Sequence, residues 1–599
     1  MPTRPGLIPC VLYYPLGKIG YKKSPDECLG FSRGGGIRTL GTSRYASFQD
    51  WCIRPLCHTS RSIFPWIFPF GIANVAVFGF EANPCQLFFS SIEIIPFPEW
   101  QTLDGFANIS FLRPNQNLLR RALLFNSFEY VFFLPLVWLL YWTVLRKYMQ
   151  LQNVFLLIAS YVFYGWWDPR FLILVFASSL VDYLVAQRVF VTETQWKRKG
   201  LMAVSLLANL GVLMYFKYFN FFADTFVEAF ATLGVTISPT TVNVVLPVGI
   251  SFYTFQTLSY TIDVYRGMLK PEKNPINFFA FVSFFPQLVA GPIERAKRLL
   301  PQFSTPRKFD YHMQIDGLRQ ILWGMAKKVV IADSLAPSVE YIFSNHGELG
   351  GGILLLGCMM FTFQMYGDFS GYNDIALGTA KLFGFSLMIN FRSPYLSETW
   401  PEIWRRWHIS LSTWFRDYVF IPIARRSKRT KFNTLRNYTI VFVLIGFWHG
   451  ANWNMIGWGI LLSFFQIVYV QLTWVRKYII PPGNWGKWTH HVIGVAVTFT
   501  LQSLTLIMFR SDGVWAAFHY FIRLFRAENW TEIPEKVQGH YHLPLILGLV
   551  VVDALNQKEE HPLHLRKVPR WLRWVIYMVL GLLVVNYFGT YEAFLYFQF

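Results

Sequence analysis

From Phe125 onward the chain is a succession of apolar runs of near-membrane length. They fall at roughly 128–146, 151–167, 169–189, 201–222, 245–262, 276–292, 351–366, 437–449, 454–475, 490–509, 541–555 and 571–590. A helix needs about 20 apolar residues to cross the ~30 Å hydrocarbon layer. The pattern predicts an all-α, polytopic transmembrane helical bundle. Several runs are short or broken by Gly and Pro, as in PVGISFYTF (247–255). Lipid cannot satisfy non-helical backbone, so such breaks belong inside protein or beside a wet cavity. They predict a compact bundle with a central cavity. No internal repeat is visible.

Two polar-apolar segments stand out between these runs. In 312–333, Ile315, Leu318, Leu322, Met325 and Val329 share one helical face, with Lys327, Lys328 and Asp333 as polar neighbours. In 402–418, Trp404, Trp407, Leu411, Trp414 and Tyr418 form an aromatic stripe accompanied by Arg405, Arg406, His408 and Arg416. The favoured expectation is a pair of helices lying at the membrane interface. The alternative is a helix that dips inward and carries a polar group to a buried site.

Residues 1–123 break the pattern. They are rich in Gly, Pro, Ser, Arg and Cys and show no sustained periodicity, and Pro65 and Pro69 interrupt the apolar stretch at 62–80. RGGGIRTLGTSRYASFQDWCIRPLCHTS (33–60) resembles the spurious reading frames of RNA-gene regions. The expectation is a misassigned or disordered extension, with translation starting at Leu124 and the functional domain spanning 124–599. The alternative is a genuine N-terminal domain or anchor.

Composition sharpens the membrane reading. The 599 residues are 53% hydrophobic and only 15% charged, against about 25% charged in soluble proteins. The net charge of +20 raises nucleic-acid binding, but the basic residues sit in short loops between apolar runs. That placement fits cytoplasmic loops and anionic lipid instead. The densest cluster is Arg425, Arg426, Lys428, Arg429, Lys431 and Arg436. Five of the six cysteines precede residue 86. Cys52, Cys57 and His58 lack a second ligand pair at zinc spacing, so no metal site is expected.

Candidate chemistry concentrates in four places. His449 closes the apolar run YTIVFVLIGFW (438–448) and opens HGANWN (449–454), which also holds Asn452. Ionisable groups at membrane depth default to function, and imidazole suits proton transfer near neutral pH. The plainer alternative is a helix-end histidine at the interface. His408 lies in WRRWHISLSTWF (404–415) beside Arg405; nearby arginines favour its neutral form, although an interfacial histidine beside the aromatic stripe is the favoured reading of position alone. QMYGDFSGYND (364–374) places Gln364, Asp368, Ser370 and Asp374 directly after an apolar run. The favoured reading is structural, with Asp and Ser capping a helix; the alternative is direct chemistry, with buried carboxylates partnered by the Arg-rich 405–416 segment. FFPQLVAGPIERAKR (284–298) reads as a surface turn, or else as a donor-entrance wall whose Arg and Lys welcome phosphate. His490 and His491, adjacent at the start of a span, read as interfacial, whereas His540, His542, His561 and His564 sit in polar loops and look incidental. Walker-type loops, HExxH and GxSxG motifs are absent from the sequence.

AGPIER (290–295), GDFSGYNDIALG (367–378), WRRWHISLSTWFRDYVFIPI (404–423) and FWHGANWN (447–454) occur in an order that resembles the membrane-bound O-acyltransferases. The likeness runs from about 124 to the terminal YFQF (596–599), nearest to bacterial polysaccharide O-acetylating members, with teichoic acid D-alanyl transferases as more distant cousins. It implies a ring of helices around a tunnel, in a multi-pass protein of the bacterial inner membrane. It makes His449 the catalytic residue and His408 the second functional histidine. Gln364, Asp368, Ser370, Asp374, Arg405 and Asn452 become candidates for the substrate path. It further implies acetyl-CoA as co-substrate with no bound cofactor, a polysaccharide acceptor such as alginate, and a periplasmic acetyl-carrying partner protein. The rivals are D-alanyl transfer to a cell-wall polymer, a transporter or flippase, and a passive scaffold of an export complex. Which polymer and which acyl group are used stays open at this level.

Overall fold

The computed structural model describes residues 125–235, 246–289, 291–479, 484–526 and 543–588, together with Ile237, Pro534, Val537 and Leu595. The expectations for 1–123, His540 and His542 lie outside the described residues. Among the described residues every regular element is helical.

The first half supplies α1 (Phe128–Thr143), α2 (Met149–Gly165), α3 (Leu172–Val191), α4 (Gln195–Leu213), α5 (Phe219–Thr232), α6 (Ile250–Tyr265), α7 (Pro275–Ser283) and α8 (Ala296–Phe303). Next come α9 (Tyr311–Met325), α10 (Asp333–Ser344), α11 (Gly351–Leu382), α12 (Trp400–Arg406), α13 (Ile409–Phe415) and α14 (Ile421–Arg426). The chain continues through α15 (Lys431–His449), α16 (Trp453–Ile479), α17 (Asn484–Arg510), α18 (Val514–Leu524), α19 (Leu543–Leu555) and α20 (Arg570–Tyr587). Helices therefore form at all the predicted apolar runs. The run at 276–292 divides into α7 and a single turn at Phe285–Leu288, where Pro286 and Gly291 interrupt the sequence. Among the described residues, five helical stretches are long and apolar enough to cross a membrane: Pro169–Val191, Gln195–Thr232, Gly351–Leu382, Trp453–Leu472 and Trp488–Arg510.

Starts are set by ordinary capping. The side-chain oxygens of Ser127, Asp310 and Thr430 accept first-turn N–H groups of α1, α9 and α15 at 3.3, 2.8 and 3.1 Å, which satisfies donors the helices cannot.

α11 is the axis of the fold. Its 32 residues span about 48 Å at 1.5 Å per residue, and most of its length is buried. The sequence suggested that the apolar run ended near 366 and that the Gly- and Asp-rich stretch began a turn or a new helix. The structure instead carries QMYGDFSGYND through the middle of one continuous helix. That is possible because partners arrive from a second buried segment. α9 runs into a π-helical stretch at Ala326–Ala332, whose residues are all buried. The expected interfacial helix over 312–333 is thus an inward element, and its lysines face carboxylates rather than lipid headgroups.

The approach of α9 to α11 depends on paired glycines. A Cβ on Gly324 would sit 2.6 Å from the Gly371 carbonyl oxygen, and one on Gly317 2.6 Å from that of Gly378. Backbone meets backbone at both points, one heptad apart on each helix. Gly371→Leu is expected to force the helices apart and to lower the melting temperature by several degrees or more, as overpacking of a tight core costs about 1–3 kcal/mol. Thermal unfolding of the detergent-solubilised variant, compared with Gly548→Leu at an open position, measures this.

Candidate active site

α15 starts at the Thr430 cap and ends at His449. Its close pairing with α16 needs Gly446, where a Cβ would meet the Gly459 nitrogen at 3.1 Å. The last carbonyls of α15 would otherwise be orphaned. Lys217 Nζ donates to the carbonyl oxygens of Trp448 and His449 at 2.7 and 3.0 Å, and the Tyr218 hydroxyl donates to that of Phe447 at 3.1 Å. A cation there also complements the negative end of the helix dipole. The backbone of His449 is thereby fixed independently of its side chain.

The imidazole of His449 is buried among aromatic rings. Its centroid lies 5.0 Å from Trp448, 5.2 Å from Trp458 and 5.6 Å from Phe509. It lines a cavity of about 30 Å³ with Met365, Asp368, Phe369, Trp407 and Leu595. That volume holds roughly two waters.

His408 approaches from the other side, 6.3 Å from His449 between ring centroids. The predicted helix over 402–418 is broken at this point. Trp407 is extended and His408 adopts a left-handed conformation, φ +43°, which costs a non-glycine residue about 1–2 kcal/mol. Neighbouring backbone imposes it. The Ile409 N–H donates to the Asn390 carbonyl and the Ser410 N–H to Asn390 Oδ1, both at 3.0 Å, while the Arg392 N–H donates to the Arg406 carbonyl at 3.0 Å. The break turns the ring inward, against Phe369 at 4.8 Å and Trp448 at 6.0 Å. It is 2% exposed, and neither ring nitrogen has a hydrogen-bond partner among the described residues. The inward alternative for this segment is the one observed. Trp407, Leu411 and Trp414 are core residues, not a membrane-surface stripe.

The carboxylates of α11 do not find their partners where the sequence suggested. Arg405 is exposed and Arg406 pairs with Glu402 at 2.7 Å. The partners are Lys328, 2.7 Å from both Asp368 and Asp333, and Lys327, 2.6 Å from Asp374 and 2.8 Å from Ser370 Oγ. Arginines at the ends of a short helix point outward; the lysines sit on a buried π-helical segment directly against α11.

The structure sorts the remaining candidates by place. Asp368 touches the His449 cavity and also a larger one of about 580 Å³, lined by Lys328, Asp333, Glu340, Gln364 and Arg510. Gln364 Oε1 is buried without a partner among the described residues. Ser370 and Asp374 face a separate 40 Å³ pocket with Lys327 and His561. Asn452 is exposed, and its Oδ1 caps α16 by accepting the Met455 N–H at 2.9 Å. Glu294 is fully buried and accepts the Met388 N–H, while Arg295 lies 4.7 Å over the Tyr418 ring. The 284–298 turn is therefore folded into protein rather than laid on the surface.

Sequence reasoning missed Lys217, Trp458 and Phe509. Lys217 carried a usable signal, since it is an isolated cation inside the apolar stretch VLMYFKYFNFF (212–222).

The amino-acid sequence is similar to those of known proteins. The model of the membrane-bound O-acyltransferase family matches residues 272–511, which include both histidines. Over 413 residues the chain is 37% identical to a "Probable alginate O-acetylase AlgI" of Azotobacter vinelandii, covering 68% of this chain and 79% of that protein. The chain belongs to the membrane-bound O-acyltransferase family. This acyltransferase is also 31% identical over 426 residues to a "Peptidoglycan O-acetyltransferase" of Helicobacter pylori, with 66% and 78% coverage. A "Teichoic acid D-alanyltransferase" of Streptococcus thermophilus is 31% identical over 314 residues, covering 48% of the acyltransferase and 75% of the relative. It is a multi-pass membrane enzyme, and the transporter and scaffold readings are set aside.

Proposed function

We propose that the acyltransferase passes an acetyl group from a cytoplasmic thioester, acetyl-CoA, to a hydroxyl that leads to O-acetylation of an extracytoplasmic polysaccharide. The carrying observation is His449, buried at a cavity wall in an aromatic cage with a second buried imidazole 6.3 Å away. The basic loops favour a cytoplasmic donor side and an inner-membrane location. The relatives named for alginate and peptidoglycan favour a glycan acceptor.

In this mechanism the His449 imidazole takes the proton of the acceptor hydroxyl as its oxygen attacks the thioester carbonyl. A C–O bond forms, the C–S bond breaks, and the proton leaves with the thiol. General-base help of this kind contributes about 10²–10⁴-fold. The apolar rings keep bulk water from hydrolysing the thioester. His408, held inward by its strained backbone, supports proton or substrate movement from the opposite side. The larger cavity, with Gln364 and Arg510 on its wall, offers polar groups and room for the acceptor. A periplasmic acetyl-carrying protein completes transfer to the polymer.

Proteoliposomes containing the enzyme and supplied with radiolabelled acetyl-CoA on one face test this. Thioester consumption is expected only when an acceptor or carrier protein is on the other face, with label appearing as base-labile ester. Consumption of a D-alanyl thioester instead, with acetyl-CoA untouched, overturns the acetyl assignment in favour of the teichoic acid-like reading.

A further inference from the structure

Outside the lining of the His449 cavity, three side chains regarded as incidental or unremarkable in the sequence converge. Asp316 comes from α9, and His561 and His564 come from the loop between α19 and α20. Their ligating atoms all lie within 4.8 Å of one another. His561 Nε2 is 3.1 Å from Asp316 Oδ1, and His564 Nε2 closes on the same oxygen. We propose that Asp316, His561 and His564 form a binding site for a divalent transition-metal ion, Zn²⁺ by preference, that clamps the α19–α20 loop to the α9–α11 pair.

Four features support the site. Imidazole nitrogen and a carboxylate oxygen are the donors that zinc prefers, and bonds of about 2.0–2.2 Å in a tetrahedron place ligand atoms roughly 3.3 Å apart. The His561–Asp316 separation already matches. His564 is partly exposed on its loop, and metal binding requires its ring to shift outward. Second, Glu559 Oε2 lies 3.1 Å from His564 Nδ1. A carboxylate accepting from Nδ1–H leaves Nε2 with its lone pair directed at Asp316, the usual arrangement behind a metal-bound histidine. Without an ion, a proton on Nε2 bridges His564 and Asp316; a bound metal would take the place of that proton. Third, Lys381 Nζ holds the other oxygen, Asp316 Oδ2, at 2.6 Å and Glu560 at 2.8 Å. The carboxylate is thus oriented with Oδ1 turned towards the two imidazoles. Fourth, His561 is 2% exposed and His564 and Asp316 are partly exposed, so the ion would be shielded on the His561 side.

The consequence is mechanical. His561 lines the 40 Å³ pocket that reaches Lys327 and Asp374, so an ion here would fix the loop that closes over the buried lysine-carboxylate network. The site stands independently of the acyl-transfer chemistry.

Full-length enzyme, purified in detergent without a polyhistidine tag and stripped with chelator, would be titrated with Co²⁺ and Zn²⁺. The expected result is one equivalent more of tightly bound metal than in His564→Gln, with Co²⁺ giving the visible absorption of a four-coordinate site. Zn²⁺ should raise the melting temperature of the wild type by several degrees and of His564→Gln by less than one. Asp316→Asn should lose the bound equivalent as well, whereas His449→Ala should keep it. Equal metal content and equal thermal shift in wild type and His564→Gln would overturn the proposal and leave a hydrogen-bonded ionic cluster. Since no acetylation is measured, failure here leaves the acyltransferase assignment untouched.

Discussion

Replacing His449 with alanine is expected to reduce acyl transfer by at least 10²–10⁴-fold, the usual range for loss of a general base. Expression and membrane insertion should stay close to wild type. The reason lies in how the residue is held. Lys217 and Tyr218 grip α15 through backbone carbonyls of Phe447, Trp448 and His449, so truncation of the ring leaves every one of these bonds in place. The ring itself packs against Trp448, Trp458 and Phe509, and these aromatics keep the cage closed around the void. A suitable control is His491→Ala. That histidine is half exposed and pairs with Glu398, so its loss should leave turnover unchanged. Size-exclusion profiles and labelled-ester formation on the same membranes separate folding from chemistry. Normal ester formation by a folded His449→Ala protein would remove the imidazole from the mechanism.

The second large effect concerns stability. Lys328→Met is expected to destabilise the protein by about 3–5 kcal/mol, because deleting one member of a buried ion pair strands the other charge. Here two carboxylates are stranded, Asp333 and Asp368, each 2.7 Å from the same ammonium and each nearly inaccessible. Neutralising the whole set behaves differently. A triple variant, Lys328→Met with Asp333→Asn and Asp368→Asn, should recover most of the lost stability, since replacing an entire buried network is often close to neutral. Urea or thermal unfolding of both variants in detergent measures the contrast. If the single substitution is as stable as wild type, the ion pairs do not hold the centre of the fold together. If the triple variant folds but fails to acylate, Asp368 also serves the His449 cavity that it lines.

Much of the helical layout was legible because apolar periodicity is local. A run such as YTIVFVLIGFW (438–448) specifies a buried helix whatever surrounds it, and its terminal histidine is conspicuous by the energetic cost of burying it. His408 was legible as chemistry but not as geometry. Its aromatic stripe at spacings of three and four reads as one amphipathic helix, and the bonds that break that helix come from Asn390 and Arg392, outside the stripe. The carboxylates of α11 were legible as needing partners. The Arg-rich 405–416 segment was the expected source, but Lys327 and Lys328 are the partners in space. Asp316, His561 and His564 escaped notice because 245 residues separate the first from the second, and no spacing rule links them.

The sequence by itself therefore determined the solvent, the helical class and the approximate spans. Each follows from composition or short-range pattern, and each costs too much to be reversed by packing. Only the tertiary structure decided that the Gly- and Asp-rich stretch stays helical, that a strained left-handed residue turns His408 inward, and that lysines neutralise the centre. Those outcomes depend on which backbone approaches which. That in turn depends on glycine pairs, a π-helical stretch and orphan carbonyls, whose partners are fixed by the fold as a whole and not by neighbours in the chain.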